Sequence, residues 1–376
     1  MKNKDLLFTT VSPHIREGSR TPIIIWLVAL SLIPAGVWGV YVFGTGSLWI
    51  IAVSIGAAVI TELVITALSG KFTIMDGSAF LTGLLIGYTM PPSIPLHIPA
   101  IASIFAIAVV KLAFGGLGCN WMNPALAGRV FVMFSFPGSM SSWLLPRTLA
   151  DAVSAATPLG AVKTGLHEIA ATYADSVGAM LNQLKNVKGP MGYLALKAYP
   201  VSDFDAGITE WLGRTFGLSI PKGYFDLFVG NVGGAIGEVS VLLLLLGTVY
   251  LFIKKIITWE IPVSYLVSFS LLVWIFGGFG FKGGLFSGDV FFHLFTGGLI
   301  LGAFYMATDM VTTPLSSLGM IIFGMGAGLL TFLIRFFGSL PEGVSLAIII
   351  MNITVPLIDR YTNHFTFAKK KYGKNK

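Results

Sequence analysis

From Pro22 to Phe43 the chain carries no charged side chain, and Leu48–Leu68 follows with Glu62 as its one charge. An apolar run of ~20 residues is long enough to cross the ~30 Å hydrocarbon layer as a helix. In lipid the backbone must satisfy its own hydrogen bonds, which leaves only helices and closed barrels. These runs are continuous rather than alternating, so they predict helices. Composition agrees: 55% of the 376 residues are hydrophobic and 11% are charged, far below the ~25% charged residues of a soluble protein. A soluble enzyme, a disordered chain and a collagen-like or disulfide-stapled chain are excluded. The expected fold class is an all-α membrane protein.

Further apolar runs are Pro95–Phe114, Val239–Ile257, Ile261–Phe281, Val290–Ala307, Leu318–Phe337 and Val344–Ile358, and two short, glycine-interrupted ones are Gly77–Met90 and Pro124–Pro137. Together these predict about ten transmembrane helices. The first run is too long for a signal-peptide core and no small-residue cleavage site follows it. The N-terminus is therefore expected in the cytoplasm. Lys71, Lys111, Lys254, Lys255 and a basic tail (Arg360, Lys369, Lys370, Lys371, Lys374, Lys376) then fall inside, and Lys282 falls outside. Basic residues favour the cytoplasmic side, so both termini are expected there, and the net charge of +7 speaks of orientation rather than of nucleic acid.

Four regions are expected: a first transmembrane half (1–138), an extracytoplasmic loop (139–226), a second transmembrane half (227–360) and a basic cytoplasmic tail (361–376). The loop has ordinary polar composition, including Asp151, Lys163, Asp205 and Glu210. A stretch that long is usually functional, and a helical piece is expected around Leu166–Leu184. The halves resemble each other. Thr82-Gly83-Leu84-Leu85 faces Thr296-Gly297-Gly298-Leu299, Asp76 faces Asp289, and Phe114-Gly115 faces Phe337-Gly338. Five spans per half would orient the halves oppositely, the arrangement of inverted-repeat transporters with broken helices at the midplane. The broken elements are expected at Gly77–Met90 and Pro124–Pro137, with Val290–Ala307 and Val344–Ile358 opposite. Shared apolar, glycine-rich composition is the alternative account of the likeness.

The most informative residues are Asp151-Ala152-Val153-Ser154-Ala155-Ala156-Thr157-Pro158-Leu159, at the start of the loop. By themselves they read as a polar turn. Pro158 holds Thr157 extended, small Ala155 and Ala156 leave room around it, and Asp151 and Ser154 could position a metal or phosphate. Phosphoester formation at Thr157 requires an exposed hydroxyl.

On these residues the chain resembles the D subunit of the Rnf electron transport complex and the B subunit of the sodium-translocating NADH:quinone reductase, whose Asp-x-x-Ser/Thr-Gly-Ala-Thr motif carries FMN on its last threonine. Ala155 stands where that motif usually has glycine. Asp76-Gly77-Ser78-Ala79, Leu81-Thr82-Gly83-Leu84-Leu85, Pro91-Pro92, Phe114-Gly115-Gly116-Leu117-Gly118, Asn120 and Asn123-Pro124-Ala125-Leu126-Ala127-Gly128-Arg129 extend the resemblance over most of the chain. Its length favours the Rnf type.

The resemblance implies covalent FMN on Thr157, attached as a threonyl phosphoester by a flavin transferase, and a second, non-covalent riboflavin within the bundle. It implies the A, B, C, E and G subunits as partners, among them a second flavinylated subunit, iron–sulfur subunits and two small membrane subunits. It also implies a bacterial inner membrane and a translocase that couples ferredoxin and NAD to sodium or proton transport. The expected cofactor-binding residues are Thr157, Asp151, Ser154, Ala156, Gly115, Gly116, Asn120, Asn123 and Arg129. No catalytic set or metal cluster is expected, and the single Cys119 excludes an intrachain disulfide or a thiolate-held iron–sulfur cluster. The alternative is a secondary transporter or urea-type channel without a redox role.

Elementary chemistry adds finer expectations. The Gly115–Gly118 stretch either offers backbone N–H groups to an anion or is a tight turn. Asn123 is expected to cap a helix that begins at Pro124. Arg129 lies within an apolar segment and needs a partner or a wet cavity, unless it snorkels to the cytoplasmic face. Glu62 is its expected acidic partner, or that of a cation. Glu238, Asp76, Asp289 and Asp309 are expected as caps or interface groups, and His293 as a packed histidine.

Overall fold

The computed structural model describes residues 21–70, 73–149, 156–172, 189–217, 220–281, 284–340 and 342–362. Among these the chain is helical and contains no β-strand. The first half comprises α1 (Thr21–Phe43), α2 (Thr45–Leu68), α3 (Ser78–Tyr88), α4 (His97–Phe105, continued by a π-helical stretch Ala106–Leu112), α5 (Pro124–Ser135) and the single turn α6 (Pro137–Met140). Among the described residues of the loop region follow α7 (Pro158–Thr172), α8 (Gly189–Leu196), α9 (Asp203–Phe216) and α10 (Tyr224–Val229). The second half comprises α11 (Val241–Ile253), α12 (Glu260–Phe276), α13 (Val290–Phe295), α14 (Leu299–Leu301, continued by a π-helical stretch Gly302–Met306), α15 (Ser317–Phe337) and α16 (Val344–Thr362).

Four of these helices, α1, α2, α15 and α16, are long and apolar enough to cross a membrane, and α3, α4, α5, α11 and α12 are shorter apolar helices. Large apolar side chains such as Val37, Val64 and Leu271 are exposed on the outside of the bundle, as lipid-facing residues are.

Small residues set the tightest helix contacts. A side chain on Gly83 would come within 2.7 Å of the Ile55 Cα and the Ser54 carbonyl oxygen, so only glycine lets α3 lie against α2. Gly128 brings α5 equally close to α4, 2.6 Å from the Ala102 carbonyl oxygen. Van der Waals packing is the main attraction between helices in lipid, and small residues allow it. Within the second half α12 packs on α15 and α15 on α16. The halves meet where α1 packs on α11 and α5 on α16.

The broken elements match expectation in part. Helix α5 has 12 residues, about 18 Å at 1.5 Å per residue, and it begins against the other half: the Asn123 amide donates to the Met306 carbonyl at 3.1 Å. Opposite α3, the run Val290–Ala307 is split between α13 and α14, with Gly297 and Gly298 at φ 69° and 64°. Val344–Ile358 is not broken: α16 runs unbroken to Thr362 with Pro356 inside. The matched glycines differ in backbone, because Gly83 lies within a continuous helix and Gly297 lies at the break. Asp76 and Asp289 behave alike, accepting from the Ser78 N–H at 2.8 Å and the Phe292 N–H at 3.0 Å.

The expected loop helix starts earlier than Leu166, at Pro158, and its continuation beyond Thr172 lies outside the described residues. The loop is organised by a buried carboxylate. Asp205 accepts from the N–H groups of Gly223 (2.6 Å), Phe225 (2.7 Å) and Asp226 (3.0 Å), and Asp226 accepts from the Ser202 N–H and hydroxyl. This clasp holds α9 to α10, and α10 packs on α11 and α13. Asp205→Asn sets an amide donor against N–H groups. It is expected to cost on the order of 2–3 kcal/mol, read as faster proteolysis of the loop with the bundle intact; an unchanged proteolysis rate would contradict the clasp.

Candidate functional site

Thr157 precedes α7 as its cap. Its Oγ1 accepts from the Gly160 N–H at 3.1 Å, and its carbonyl accepts from the Ala161 N–H at 2.8 Å. Proline is favoured at the first helical position, where the missing N–H is not needed, and Pro158 occupies it. The expectation that Thr157 is exposed is corrected. It is 6% exposed, its hydroxyl drawn towards the helix by the capping bond beside a small pocket that Val232, Gly233 and Gly234 also line. Ala156 is exposed beside it. Asp151 and Ser154 lie outside the described residues.

Lys163, nearly two turns further along α7, donates to the carbonyls of Arg335 (2.9 Å), Gly338 (2.6 Å) and Leu340 (2.8 Å). These are carbonyls at and beyond the C-terminus of α15, which a cation satisfies well. The helix that starts at Thr157 is thereby pinned to the bundle.

The wall of the Thr157 pocket contains two carboxylates, Glu238 and Glu342. Both face Arg129. Glu342 is hydrogen-bonded to Arg129 Nη2, and the Glu238 carboxylate lies 3.7 Å from Nη1. All three side chains are largely buried. Arg129 therefore belongs to an internal polar site and does not snorkel. Its partner is not Glu62. That residue pairs instead with Lys111 at 2.7 Å, which also reaches the Ser78 hydroxyl at 2.5 Å, while Thr73 donates to Glu62 at 2.8 Å. The reason is position along the helices. Glu62 and Lys111 lie towards the C-terminal ends of α2 and α4, whereas Arg129 lies mid-way along α5, towards the segment that precedes α16.

Two further residues of this region carry charge that the sequence reading does not assign. Glu342 precedes α16. Arg335, inside an apolar run, carries the same signal as Arg129. Its guanidinium donates to the carbonyls of His293 (2.6 Å), Thr296 (3.2 Å) and Gly297 (3.4 Å) at the break between α13 and α14, and stands 5.0 Å from the Phe269 ring centre. It satisfies the carbonyls that the break frees. His293 is buried and packed against Phe292 and Phe336, as expected.

A second site lies between the halves. A cavity of about 140 Å³ is lined by Asn120, Asn123, Lys111, Ser78, Tyr305 and Asp309 among others. Asn123 caps α5 as expected, accepting from Ala125 (3.0 Å) and Leu126 (3.3 Å). Gly115 and Gly116 do not line this cavity. Their N–H groups are bonded to the Leu112 and Lys111 carbonyls, and their φ values of 116° and 96° make the stretch a tight turn that glycine permits.

The sequence profile of the NQR2, RnfD, RnfE family matches residues 8–368. The chain belongs to this family. It is 41% identical over 370 residues to the D subunit of the proton-translocating ferredoxin:NAD(+) oxidoreductase complex of Clostridium ljungdahlii, covering 98% of each chain. It is 36% identical over 372 residues to the D subunit of the Na(+)-translocating ferredoxin:NAD(+) oxidoreductase complex of Acetobacterium woodii, covering 98% of this chain and 97% of that one. The D subunit of an ion-translocating oxidoreductase complex from Escherichia coli is 34% identical, covering 96% and 98%. Family membership does not select the ion, since one relative is named for protons and another for sodium.

Proposed function

We propose that this chain is the D-type membrane subunit of an ion-translocating ferredoxin:NAD oxidoreductase complex, and that it carries FMN as a phosphoester on Thr157. The observation that carries the reading is the place of Thr157: it caps a 15-residue helix, where the positive end of the helix dipole favours a phosphate. Thr157 supplies the hydroxyl that a phosphoester needs, but at 6% exposure it must be uncovered before a transferase can reach it. The pocket at Thr157, of about 20 Å³, holds little more than one water, so the flavin ring would lie beyond it. When bound, FMN would supply the electron-carrying chemistry. The chain would contribute the threonine oxygen, the helix N-terminus and the charge of Arg129, Glu238 and Glu342.

The cavity between the halves is the proposed site of a non-covalent riboflavin. Asn120 and Tyr305 supply polar and aromatic groups of the kind a flavin ring uses, whereas the Asn123 amide is taken up by the Met306 carbonyl and the Ala125 and Leu126 N–H groups. The other subunits (A, B, C, E and G) would supply ferredoxin- and NAD-linked electron transfer, and a flavin transferase would mature Thr157. In-gel fluorescence of denatured protein, made together with that transferase, tests the reading against the flavin-free channel. Absence of covalent flavin would overturn it.

The proposed topology has ten crossings in two inverted five-span halves, in a bacterial inner membrane, with the loop outside and both termini in the cytoplasm. The paired Asp76 and Asp289 caps and the shared π-helical stretches support it. A Glu210→Cys label in a Cys119→Ser background is expected to react with an impermeant reagent from outside, and a C-terminal reporter active only in the cytoplasm is expected to be active. Labelling of position 210 from the cytoplasmic side alone would reverse the orientation.

A further inference from the structure

The Arg129 cluster leaves one carboxylate oxygen, Glu238 Oε2, without a hydrogen bond, 3.7 Å from Arg129 Nη1. Glu342 is hydrogen-bonded to Arg129, but Glu238 Oε2 makes no hydrogen bond, and the Glu238 side chain is 4% exposed. A buried ionised oxygen with no donor is costly, and such a group neutralises by taking a proton. Two carboxylates share the Arg129 guanidinium within ion-pair distance. Glu238 is the one without the hydrogen bond to Arg129.

The surroundings favour a proton over a metal cation. Gly298 lies so close that a side chain there would stand 2.2 Å from Glu238 Oε2. The nearby Thr296 and Gly297 carbonyls accept from the Arg335 guanidinium, so they are not free to ligate a cation, and that guanidinium repels one. The pocket has no room for a hydrated ion. The charged groups that face Glu238 are Arg129 from α5, Arg335 from α15 and Glu342 from the segment before α16.

There is also a way out. Glu342 lines the Thr157 pocket and a second cavity of about 260 Å³, whose other lining residues include Arg129, Trp143, Ser339 and Ser345. One carboxylate thus stands between the enclosed Glu238 and a larger cavity.

We propose that Glu238 is a proton-exchanging site in the wall of the Thr157 pocket, with Glu342 as its outlet to the larger cavity. The step is a simple transfer: the O–H bond of the Glu238 carboxyl breaks, the proton passes to the Glu342 carboxylate or to a water in the outer cavity, and Glu238 is left as carboxylate. The reverse step reloads it. Arg129 stays charged throughout and holds the two carboxylates in place. Glu238 lies before α11, outside the helical segment. Burial, then the Glu342 carboxylate, push its carboxyl up to about 8, against the pull of Arg129. The site stands apart from the flavin reading, because none of its groups depends on an occupant at Thr157.

The test is infrared difference spectroscopy of the full-length chain, with wild-type and Thr157→Ala proteins titrated side by side, so that failure of flavin attachment leaves the measurement untouched. A protonated-carboxyl carbonyl band is expected in both, lost as pH rises with a midpoint of about 8 and absent in Glu238→Gln. Glu238→Asp should retain a band with a shifted midpoint, which guards against a merely misfolded Gln variant. In Glu342→Gln the midpoint should fall, because the neighbouring negative charge is gone, and exchange of the band in D2O should slow. A midpoint at the ordinary glutamate value of about 4.3, a band that survives Glu238→Gln, or a band abolished by sodium at constant pH would each overturn the assignment.

Discussion

Protein made together with an active flavin transferase should carry one FMN on Thr157, and Thr157→Ala should carry none. The expected effect is complete rather than graded, because a phosphoester needs the hydroxyl oxygen itself. The peptide containing Thr157 should gain the mass of FMN less one water. Thr157→Ser keeps the oxygen and the capping geometry, since serine is an equally good cap, and should retain attachment. Thr157→Ala also removes the bond to the Gly160 N–H, at about 1 kcal/mol. That loss is too small to unfold the bundle, so absence of flavin in a folded variant reports the acceptor and not the fold. An unmodified Thr157 in wild-type protein made under these conditions would refute the assignment.

Arg129→Met should be the most destabilising single change at the Glu238–Glu342 cluster. It leaves the buried Glu342 carboxylate without its hydrogen-bonded guanidinium, beside Glu238, and breaking a buried pair from one side costs about 3–5 kcal/mol. Arg129→Lys should recover only part of this. Lysine presents a point charge rather than a planar fork, and cannot reach both Glu342 and Glu238 from one position in the same way. Adding Glu342→Gln to Arg129→Met should restore stability relative to the single variant, because one stranded charge is removed. Arg214→Ala provides the contrast. Its partner Glu210 is one turn away on α9 and both are exposed, so little change is expected. Thermal unfolding in detergent separates these outcomes. A midpoint for Arg129→Met equal to that of the wild type would mean that the cluster does not need its cation.

Family identity, the helical class and the course of most helices are legible in the order of residues alone. Apolar run length is a local property, and a backbone in lipid has few choices. Caps are legible for the same reason. Asn123 before Pro124, and Asp76 and Asp289 before their helices, satisfy N–H groups within three residues of themselves. The glycine turn at 115–118 admits two accounts in the sequence, and only the bonded N–H groups distinguish them.

What the tertiary structure alone decided is which charge meets which. Arg129 and Glu342 are 213 residues apart, and nothing local in either segment names the other. Their meeting depends on how α5 and α16 pack across the two halves. The same holds for Lys163, which crosses from the loop to carbonyls beyond α15, and for Glu238, which reads as a helix cap until its neighbours are known. Thr157 shows the division within one residue. Its chemistry and its place before Pro158 are written in the sequence. Its burial is not, because that depends on residues distant in sequence, such as Val232, Gly233 and Gly234, which line the pocket beside it.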